Sequence, residues 1–550
     1  MTSRTKLDAP LLAITTAVIF VLICGFALFP AETNRAAQWA FDELTTVFGA
    51  PLLLVVFCVV LFLLWLAASK YGHIRLGGGE PEYSTFSWVS MMVCCGISSA
   101  LLFWAFTDWA YDFDLRARIP ILGTASPYET ATAYTFFHWG FSTWATYCVA
   151  SLPIAYHAYV GRNPGLSLSA VYSAMRGRAP GKRLFTRAVD LVFLFTCCTG
   201  ISIALGLSVP MITELFAAFF GFHASFTANV LVTLGIAAVF TASSWMGLAS
   251  GMQRISRLCV RLIFVFVLCV FLVGPSLFLL KSTVNGVGIV LQNFIRMSLW
   301  TDPVVNGGFP EKWTVWYWLY DVSFTPFVGL FVTKISRGRT LRGLILNMLG
   351  SGSLGAFVVF GVLSHFSVHC DLSGLVPVTE LVNAGRMNEA IVGVLHALPV
   401  GTLFLVLFGV VATLLLSTTL DSAAYTMAAA LTPGLPADGH PLARHRLVCC
   451  LLLVAVPLSM MLVNAPLDTL KTCAIISGIP LCFVLGYLIY GFLRWMFQDF
   501  GSRSAEEIRA MHGEAPARVV QCCPWPPLAD GRREHGAQMN ETRESLDSIV

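Results

Sequence analysis

The chain has 550 residues, of which 57% are hydrophobic and 12% charged, and its formal net charge is +4 at pH 7. A soluble globular domain carries about a quarter charged residues, so this composition excludes a soluble enzyme and indicates a protein folded in membrane lipid. The small net charge gives no reason to expect a nucleic acid as partner. The 16 cysteines have neither zinc-site spacing nor the spacing of a disulfide framework.

Apolar runs long enough to cross a bilayer recur along the chain, since a hydrocarbon core of about 30 Å needs roughly 20 residues of helix. The run from Leu11 to Pro30 is long for a signal peptide and lacks a persuasive cleavage site, so we interpret it as a retained first span. The stretch from Val284 to Trp300 is broken by polar residues and is predicted to be interfacial. The sequence predicts an all-α membrane protein with twelve spans, at about residues 11–30, 48–68, 86–112, 133–157, 189–214, 227–247, 258–280, 313–333, 343–366, 397–430, 446–465 and 469–497.

The charges between the spans alternate from one loop to the next. With the N-terminus inside, the cytoplasmic loops hold most of the basic residues, as in the stretches Arg162 to Arg187 and Lys334 to Arg342. This positive-inside pattern predicts that residues 1–10 and the C-terminal tail are both cytoplasmic, in a multi-pass protein that we expect in the plasma membrane. The tail, residues 498–550, is polar and interrupted by prolines, and we expect it to be mobile.

Span three carries small and hydroxylated residues, Gly96 to Ser99, where an ordinary span carries leucine. Close packing of helices explains such residues, and so does a locally unwound helix whose freed carbonyls line a binding site. Both interpretations stay open. Asp108, further along the same span, is an acid in an apolar stretch, a position that is usually functional.

Span four contains Trp139, Trp144 and Tyr147. Trp144 and Tyr147 are three residues apart and therefore share a helix face, whereas Trp139 needs either a kink at Gly140 or another helix to complete a common wall. Aromatic residues near the end of a span also form interfacial belts. A belt and a binding wall are the two interpretations of this segment.

Span eight begins at Trp313 and is the most aromatic segment of the chain. Tyr317, Tyr320 or Asp321, and Phe324 follow the i, i+3, i+4, i+7 spacing of one helix face. An interfacial belt does not explain rings two to three turns inside the span. An aromatic face with an acid in it suits a cation, and above all a quaternary ammonium group, because each ring contributes about 0.5–2 kcal/mol and the methyl groups leave no hydrogen-bond donor unpaired.

Span ten combines Ser417, Thr418, Thr419 and Asp421 in one membrane segment. Hydroxyl groups in such helices commonly bond to carbonyls of their own preceding turn. They could equally surround a sodium ion, which prefers oxygen ligands. Asp421 is the residue that packing explains least well.

The motifs of span eight resemble the betaine/choline/carnitine transporter family. Residues 313–321, WTVWYWLYD, and residues 334–340, KISRGRT, together match the family's long signature, and weaker similarity covers about residues 10–497. Within the family, the carnitine-type exchangers are the most similar at three segments, residues 96–99, 108–111 and 136–147.

The resemblance implies a LeuT-like fold, in which two inverted five-helix repeats follow two extra helices. The repeats would be spans three to seven, at about 86–280, and spans eight to twelve, at about 313–497, within a transporter domain of residues 11–497. It also implies a homotrimer embedded in lipid, and secondary-active transport of choline, carnitine or betaine by alternating access. An enzyme is not expected, because the sequence has no H-E-x-x-H, G-x-S-x-G or Walker motif.

The resemblance also implies an aromatic box for the substrate. Its candidate substrate-binding residues are Tyr111, Trp139, Trp144, Tyr147, Trp318, Tyr320, Asp321 and Phe324. The family has two adjacent tryptophans where this chain has Tyr320 and Asp321. An ionised Asp321 would favour a ligand of net positive charge, such as choline, over the zwitterions carnitine and betaine.

The resemblance leaves the coupling ion open between sodium and a proton, and no other cofactor or metal is expected. Sodium-dependent relatives use carbonyls of span three and a hydroxyl pair of span ten, at the positions of Cys94, Ile97, Thr418 and Thr419. Sodium-independent exchangers place a basic side chain near Gln253 or Arg254. Proton coupling through Asp321 or Asp421 is the third possibility.

Two other functions compete with transport of a quaternary ammonium solute. One is transport of another organic cation selected by Asp321. The other is a transporter-like osmosensor or receptor, for which the charged tail would be the output.

Overall fold

The structure, a computed structural model, describes residues 6–96, 99–117, 119, 125–176, 182–246, 251, 253–436, 439–462 and 467–511, and these residues are predominantly helical. The first helices are α1 (Ala9–Leu28), α2 (Pro30–Ala68), α3 (Thr85–Gly96), α4 (Ser99–Thr107), α5 (Phe113–Ala117), α6 (Pro127–Trp139), α7 (Phe141–Ala155), α8 (Leu168–Arg176), α9 (Lys182–Phe220), α10 (Phe226–Met246) and α11 (Gln253–Val273). They are followed by α12 (Ser276–Leu299), α13 (Trp316–Ile335), α14 (Leu341–Asn347), α15 (Ser353–Leu372), α16 (Val378–Asn383), α17 (Met387–His396), α18 (Gly401–Ala430), α19 (Ala443–Leu462), α20 (Leu467–Phe500) and α21 (Ala505–Ala510). Short 3₁₀ segments lie at Lys70–His73 and Asp108–Ala110, and π-helical segments at Tyr156–Val160, Pro310–Val315 and Met348–Gly352.

The helices are those of a multi-pass membrane protein. Within the described residues, nine are long and apolar enough to cross a bilayer, and the bent pair α3 and α4 raises the number to ten. All but one of these ten coincide with spans that the sequence predicts. The three remaining predicted spans coincide with α6 and α7, with α13 and with α19. These segments are helical but are not among the ten candidate spans.

Helix α12 is where the structure differs from the sequence-based prediction. The sequence predicts that the stretch Val284 to Trp300 is interfacial, and in the structure it forms most of a 24-residue helix that is a candidate span by its length and composition. Its interfacial position stays a prediction, and the difference lies in where the helix begins. The cause is Pro275, because the residue before a proline is disfavoured in a helix and α11 ends at Val273. The apolar residues that follow Pro275, which the prediction gave to span seven, therefore lengthen α12.

Two predicted spans are broken near their middle. Helices α3 and α4 meet at an angle of 69°, with the break after Gly96, and Ile97 and Ser98 lie outside the described residues. Span four divides into α6 and α7 at Gly140, which has φ −93° and ψ −137°. A Cβ there would lie 2.6 Å from the carbonyl oxygen of Phe136, so the kink requires glycine.

The segment after α13 pairs with the loop between α2 and α3. The amide of Gly338 donates to the carbonyl of Leu76 at 2.7 Å, and the amide of Leu76 donates to the carbonyl of Arg339 at 2.8 Å. The guanidinium of Arg339 lies 4.5 Å from the ring centre of Trp88, whose indole donates to Ser336 at 2.9 Å. The second half of the span-eight signature thus anchors this loop.

The last described residues dock on the same loop. The ammonium of Lys70 donates to the carbonyls of Gly501 and Arg503, both at 2.8 Å, and Ile508 of α21 is buried. The first part of the polar tail is therefore held in place. Residues 512–550 lie outside the described residues, so the mobility predicted for the tail stays a prediction there.

We expect Gly338→Ala to destabilise the protein. Gly338 has φ +79°, and a Cβ would lie 3.0 Å from Pro81, so alanine adds about 1–2 kcal/mol of backbone strain and a contact that Pro81 must relieve. Its thermal midpoint in detergent should fall by a few degrees. The matched control is Gly486→Ala in α20, where a Cβ would meet nothing within 4 Å; equal midpoints for the two variants would contradict this account of the loop.

Candidate functional site

The central polar group of the site is Asp321 on α13, whose side chain is 1% exposed. Oδ2 of Asp321 lies 2.6 Å from the hydroxyl of Thr143, and Oδ1 accepts a hydrogen bond from the hydroxyl of Tyr147 at 3.1 Å. Thr143 and Tyr147 are four residues apart on α7 and so share one face. The carboxyl group therefore joins α7 to α13 at their contact.

Trp144 contacts the ring of Tyr147, a partner of this carboxyl group, and we name Thr143, Trp144, Tyr147 and Asp321 the Asp321 cluster. The rings of Trp144 and Tyr147 are nearly perpendicular, with centres 5.9 Å apart. Gly96, the last residue of α3, lies against both, since a Cβ there would be 2.8 Å from the ring of Trp144 and 3.4 Å from that of Tyr147. The break in span three thus directly adjoins the Asp321 cluster.

The aromatic face of α13 continues from this cluster along the helix. The ring of Tyr320 stacks on that of Trp316 at 5.3 Å, and its other neighbour is Phe324 at 4.9 Å. Phe324 packs against α9 at Gly200, where a Cβ would lie 3.2 Å from the ring. The spacing that predicts one aromatic face is therefore realised as a continuous row of touching rings.

Tyr111 and Trp139 join the same row at its N-terminal end. The ring of Tyr111 lies 5.0 Å from Trp313, and the ring of Trp139 lies 5.6 Å from Tyr317. Trp139 is also stacked on Phe360 of α15 at 5.4 Å. Tyr111 and Trp139 are therefore linked through the first rings of span eight rather than by direct stacking on the Asp321 cluster.

A second buried acid lies beside these rings, and we name Asp108, Arg116, Thr135, Trp313 and Tyr317 the Asp108 cluster. The guanidinium of Arg116 donates to both carboxylate oxygens of Asp108 at 3.2 Å, and both side chains are fully buried. The hydroxyls of Thr135 and Tyr317 also donate to Asp108. Arg116 lies 4.5 Å from the ring centre of Trp313, which adds a cation–π contact.

Trp318 lies on another side of α13. Its ring packs on Phe137 and His138 of α6, at 5.5 Å and 5.9 Å. It is buried in this contact, as Tyr320 and Phe324 are in theirs. The structure places Tyr111, Trp139, Tyr320 and Phe324 along the row of rings. Trp144, Tyr147 and Asp321 form the adjoining Asp321 cluster. Trp318 belongs to neither group, and a substrate contact for it stays a prediction.

The hydroxyl pair proposed for a sodium ion bonds within its own helix. Thr418 and Thr419 of α18 both donate to the carbonyl of Leu415, at 2.7 Å and 3.2 Å. Asp421, 3% exposed, accepts a hydrogen bond of 2.6 Å from Ser243 and thereby joins α18 to α10. The bonding to carbonyls of the same helix that the sequence left as one alternative is the arrangement observed.

The other coupling candidates lie around the end of α3. The thiol of Cys94 donates to the carbonyl of Ser256 on α11 at 3.6 Å, and Ile97 is outside the described residues. Arg254, on the first turn of α11, has an exposed side chain. The described face of α11 that meets Cys94 carries Ser256 and Cys259 rather than the basic residue.

Three residues of these clusters escaped sequence reasoning, namely Arg116, Thr135 and Thr143. Arg116 looks like a loop charge beside Asp112 and Asp114, and only the fold reveals that it returns to Asp108. Thr143 lies in the aromatic motif of span four without being aromatic. Its spacing of four residues from Tyr147 is the signal that could have placed it on the binding face.

Comparisons with known proteins agree on one class of membrane protein. A model of the family described as BCCT, betaine/carnitine/choline family transporter, matches residues 10–501. The uncharacterized transporter YeaV of Escherichia coli is 36% identical over 461 residues, which cover 84% of this chain and 96% of that protein. The carnitine transporter of Acinetobacter baumannii is 35% identical over 491 residues, 89% of each chain. The glycine betaine transporter OpuD of Bacillus subtilis is 26% identical over 486 residues, 86% of this chain and 92% of that protein.

Removing Arg116 should leave the carboxylate of Asp108 buried without a cation. We expect Arg116→Ala to lower the free energy of unfolding by about 3–5 kcal/mol, measured as a loss of thermal stability in detergent. Adding Asp108→Asn to that variant removes the uncompensated charge and should restore part of the stability. A double variant no more stable than Arg116→Ala would refute the ion-pair interpretation.

Proposed function

The chain belongs to the betaine/carnitine/choline transporter family, a family of secondary transporters and not of enzymes, and we propose that its substrate is a quaternary ammonium solute of net positive charge. Choline is the simplest such solute. The class of solute follows from membership of the family. The preference within the class is argued from Asp321, which is the observation that carries the proposal.

Asp321 supplies negative charge inside an aromatic site. Its carboxyl group is bonded to the hydroxyl of Tyr147 and is adjacent in sequence to Tyr320, whose ring belongs to the row along α13. Two opposite charges 4 Å apart attract by about 4 kcal/mol at an effective dielectric constant of 20, whereas one ring contributes about 0.5–2 kcal/mol. The carboxyl group is therefore the strongest single determinant of ligand charge in the site.

A zwitterion gains less from this arrangement than a cation does. Carnitine and betaine carry their own carboxylate, which compensates their ammonium group and is repelled by a second carboxylate nearby. Choline carries a hydroxyl in its place. The relatives named as carnitine and glycine betaine transporters keep these zwitterions as the competing candidates, and another organic cation is the third.

Alternating access accounts for the burial of the site. Trp139, Trp144, Tyr147 and Asp321 are at most 4% exposed, so a solute reaches them only after the helices around them part. The breaks after Gly96 and at Gly140 adjoin these residues and provide hinges. We propose that the inverted repeats of spans three to seven and eight to twelve move against each other there, in a homotrimer whose termini face the cytoplasm.

The most informative experiment is a competition panel in proteoliposomes. Uptake of labelled choline is measured against unlabelled choline, butyrobetaine, carnitine and betaine, with and without sodium. We expect choline to be the strongest competitor. Carnitine or betaine as the strongest competitor would overturn the proposed preference, and saturable binding without flux would favour a receptor.

Asp321→Asn tests whether charge sets the preference, because the amide keeps the shape of the carboxyl group. We expect the affinity for choline to fall tenfold or more, which corresponds to about 1.4 kcal/mol, while the affinity for carnitine or betaine changes less. Inhibition constants from the competition panel give the ratio. Asp421→Asn is the matched control, since it alters a buried acid at the contact of α18 with α10 and should leave the ratio unchanged; an unaltered ratio in Asp321→Asn would remove Asp321 as the determinant.

Tyr111→Ala and Trp139→Ala test the aromatic row. Each removes a ring that meets the first rings of span eight, and we expect the Michaelis constant for the solute to rise while the protein still reaches the membrane. Trp109→Ala is the control for loss of a buried ring, because the indole of Trp109 donates to Ser367 away from the row. Wild-type kinetics in both test variants would exclude the aromatic box.

A further inference from the structure

The hydroxyl of Thr143 lies between two hydrogen-bond acceptors. It contacts the main-chain carbonyl oxygen of His138 and lies 2.6 Å from Oδ2 of Asp321. A hydroxyl group has one hydrogen, so Thr143 can make a short, well-aligned hydrogen bond to only one of the two oxygens at a time. One of the two contacts needs a hydrogen from elsewhere.

The carbonyl of His138 cannot supply that hydrogen. Helix α6 ends at Trp139, and the last carbonyls of a helix have no donor within it. The Thr143 hydroxyl, one turn beyond the break, caps the carbonyl of His138. The hydrogen in the contact between Thr143 and Asp321 then belongs to Asp321, which donates to the threonine oxygen as a neutral carboxylic acid.

The surroundings of Asp321 also favour the neutral form. In the described parts of the helices packed against α13, the titratable side chains that face Asp321 are Tyr147 on α7 and Tyr320 on α13 itself, with Cys95 on α3 behind Tyr147. None of these is a cation. The ring of His138 is turned to the hydroxyl of Thr314 at 3.1 Å. An ionised carboxylate buried without a cation costs several kcal/mol, which a proton or a cationic ligand removes.

We propose that Asp321 is a proton-binding site in which a proton and the cationic head group of the solute exclude each other. This inference rests on the proposed function, because the cation must lie beside Asp321. When the cation binds, the O–H bond of Asp321 breaks and the proton passes to water on the side to which the site is open. When the cation leaves, the carboxylate takes up a proton from that side. The site is electrically neutral in both states, and one proton is exchanged for one cation.

Exclusion predicts the sign of the pH dependence. At low pH Asp321 is protonated, which weakens binding of choline. The affinity falls by up to about tenfold for each pH unit below the pH at which Asp321 titrates. Alkali strengthens binding until Asp321 is fully ionised, after which the affinity is constant. In proteoliposomes with a pH gradient across the membrane, protons leave the acidic compartment in exchange for choline. Choline should therefore accumulate in the acidic compartment.

The test measures choline binding to the purified full-length protein in detergent across pH, together with proton release in weakly buffered solution. We expect wild type to bind choline more weakly in acid and to release up to one proton per choline bound, and Asp321→Asn to bind weakly at every pH without releasing a proton. Thr143→Val removes the acceptor of the acid proton and should shift the weakening of binding to lower pH, whereas Thr143→Ser retains the hydroxyl and should resemble wild type.

The outcomes separate this inference from the proposed function. Choline binding that is selective through Asp321 but independent of pH and free of proton release overturns only the proton site. Binding of carnitine or betaine in preference to choline overturns the proposed substrate. If Asp321→Asn does not fold, proton release by wild type alone decides, and pH dependence that persists unchanged in a folded Asp321→Asn also overturns the inference.

Discussion

Burying a carboxyl group inside a membrane protein imposes a cost that the surrounding residues must offset, and this constraint shapes the region where α7 meets α13. Asp321 is met there by two hydroxyl groups of α7, at 2.6 Å and 3.1 Å. Both hydroxyls reach it because α7 begins at Phe141, after the kink at Gly140. The kink at Gly140, the packing of α7 against α13 and the hydrogen bonds to Asp321 therefore depend on one another.

The chain buries two acids beside its aromatic row and compensates them differently. Asp108 has a permanent cation in Arg116 and hydroxyl donors as well, so it needs nothing from a ligand and joins α5, α6 and α13. Asp321 has hydroxyl partners but, among the described residues, no basic side chain close to it. A buried acid without its own cation is suited to binding a cation that comes and goes.

Much of the fold could be predicted from the sequence, because spans are long and their periodicity is strong. The aromatic face of α13 is predicted directly by the local sequence, and the kink at Gly140 and the break near Gly96 are each one of two alternatives that it offers. The start of α12 is not predicted correctly, because the predicted span seven continues past Pro275 to residue 280, whereas α11 ends at Val273. Contacts between distant segments were also out of reach: Arg116 with Asp108, the two acceptors of Thr143, and Trp318 against α6 depend on how helices rotate about their axes, which one sequence does not specify.

The central claim is that Asp321 holds the positively charged group of the solute. A structure of the choline-bound protein tests it most directly, through the distance between the choline nitrogen and the carboxyl group of Asp321. The account predicts a separation of about 4–6 Å, the range in which opposite charges stabilise each other in a protein, with the methyl groups against the rings of Tyr147 and Tyr320. Choline bound away from Asp321, for example against Trp318 and Phe137, would contradict it.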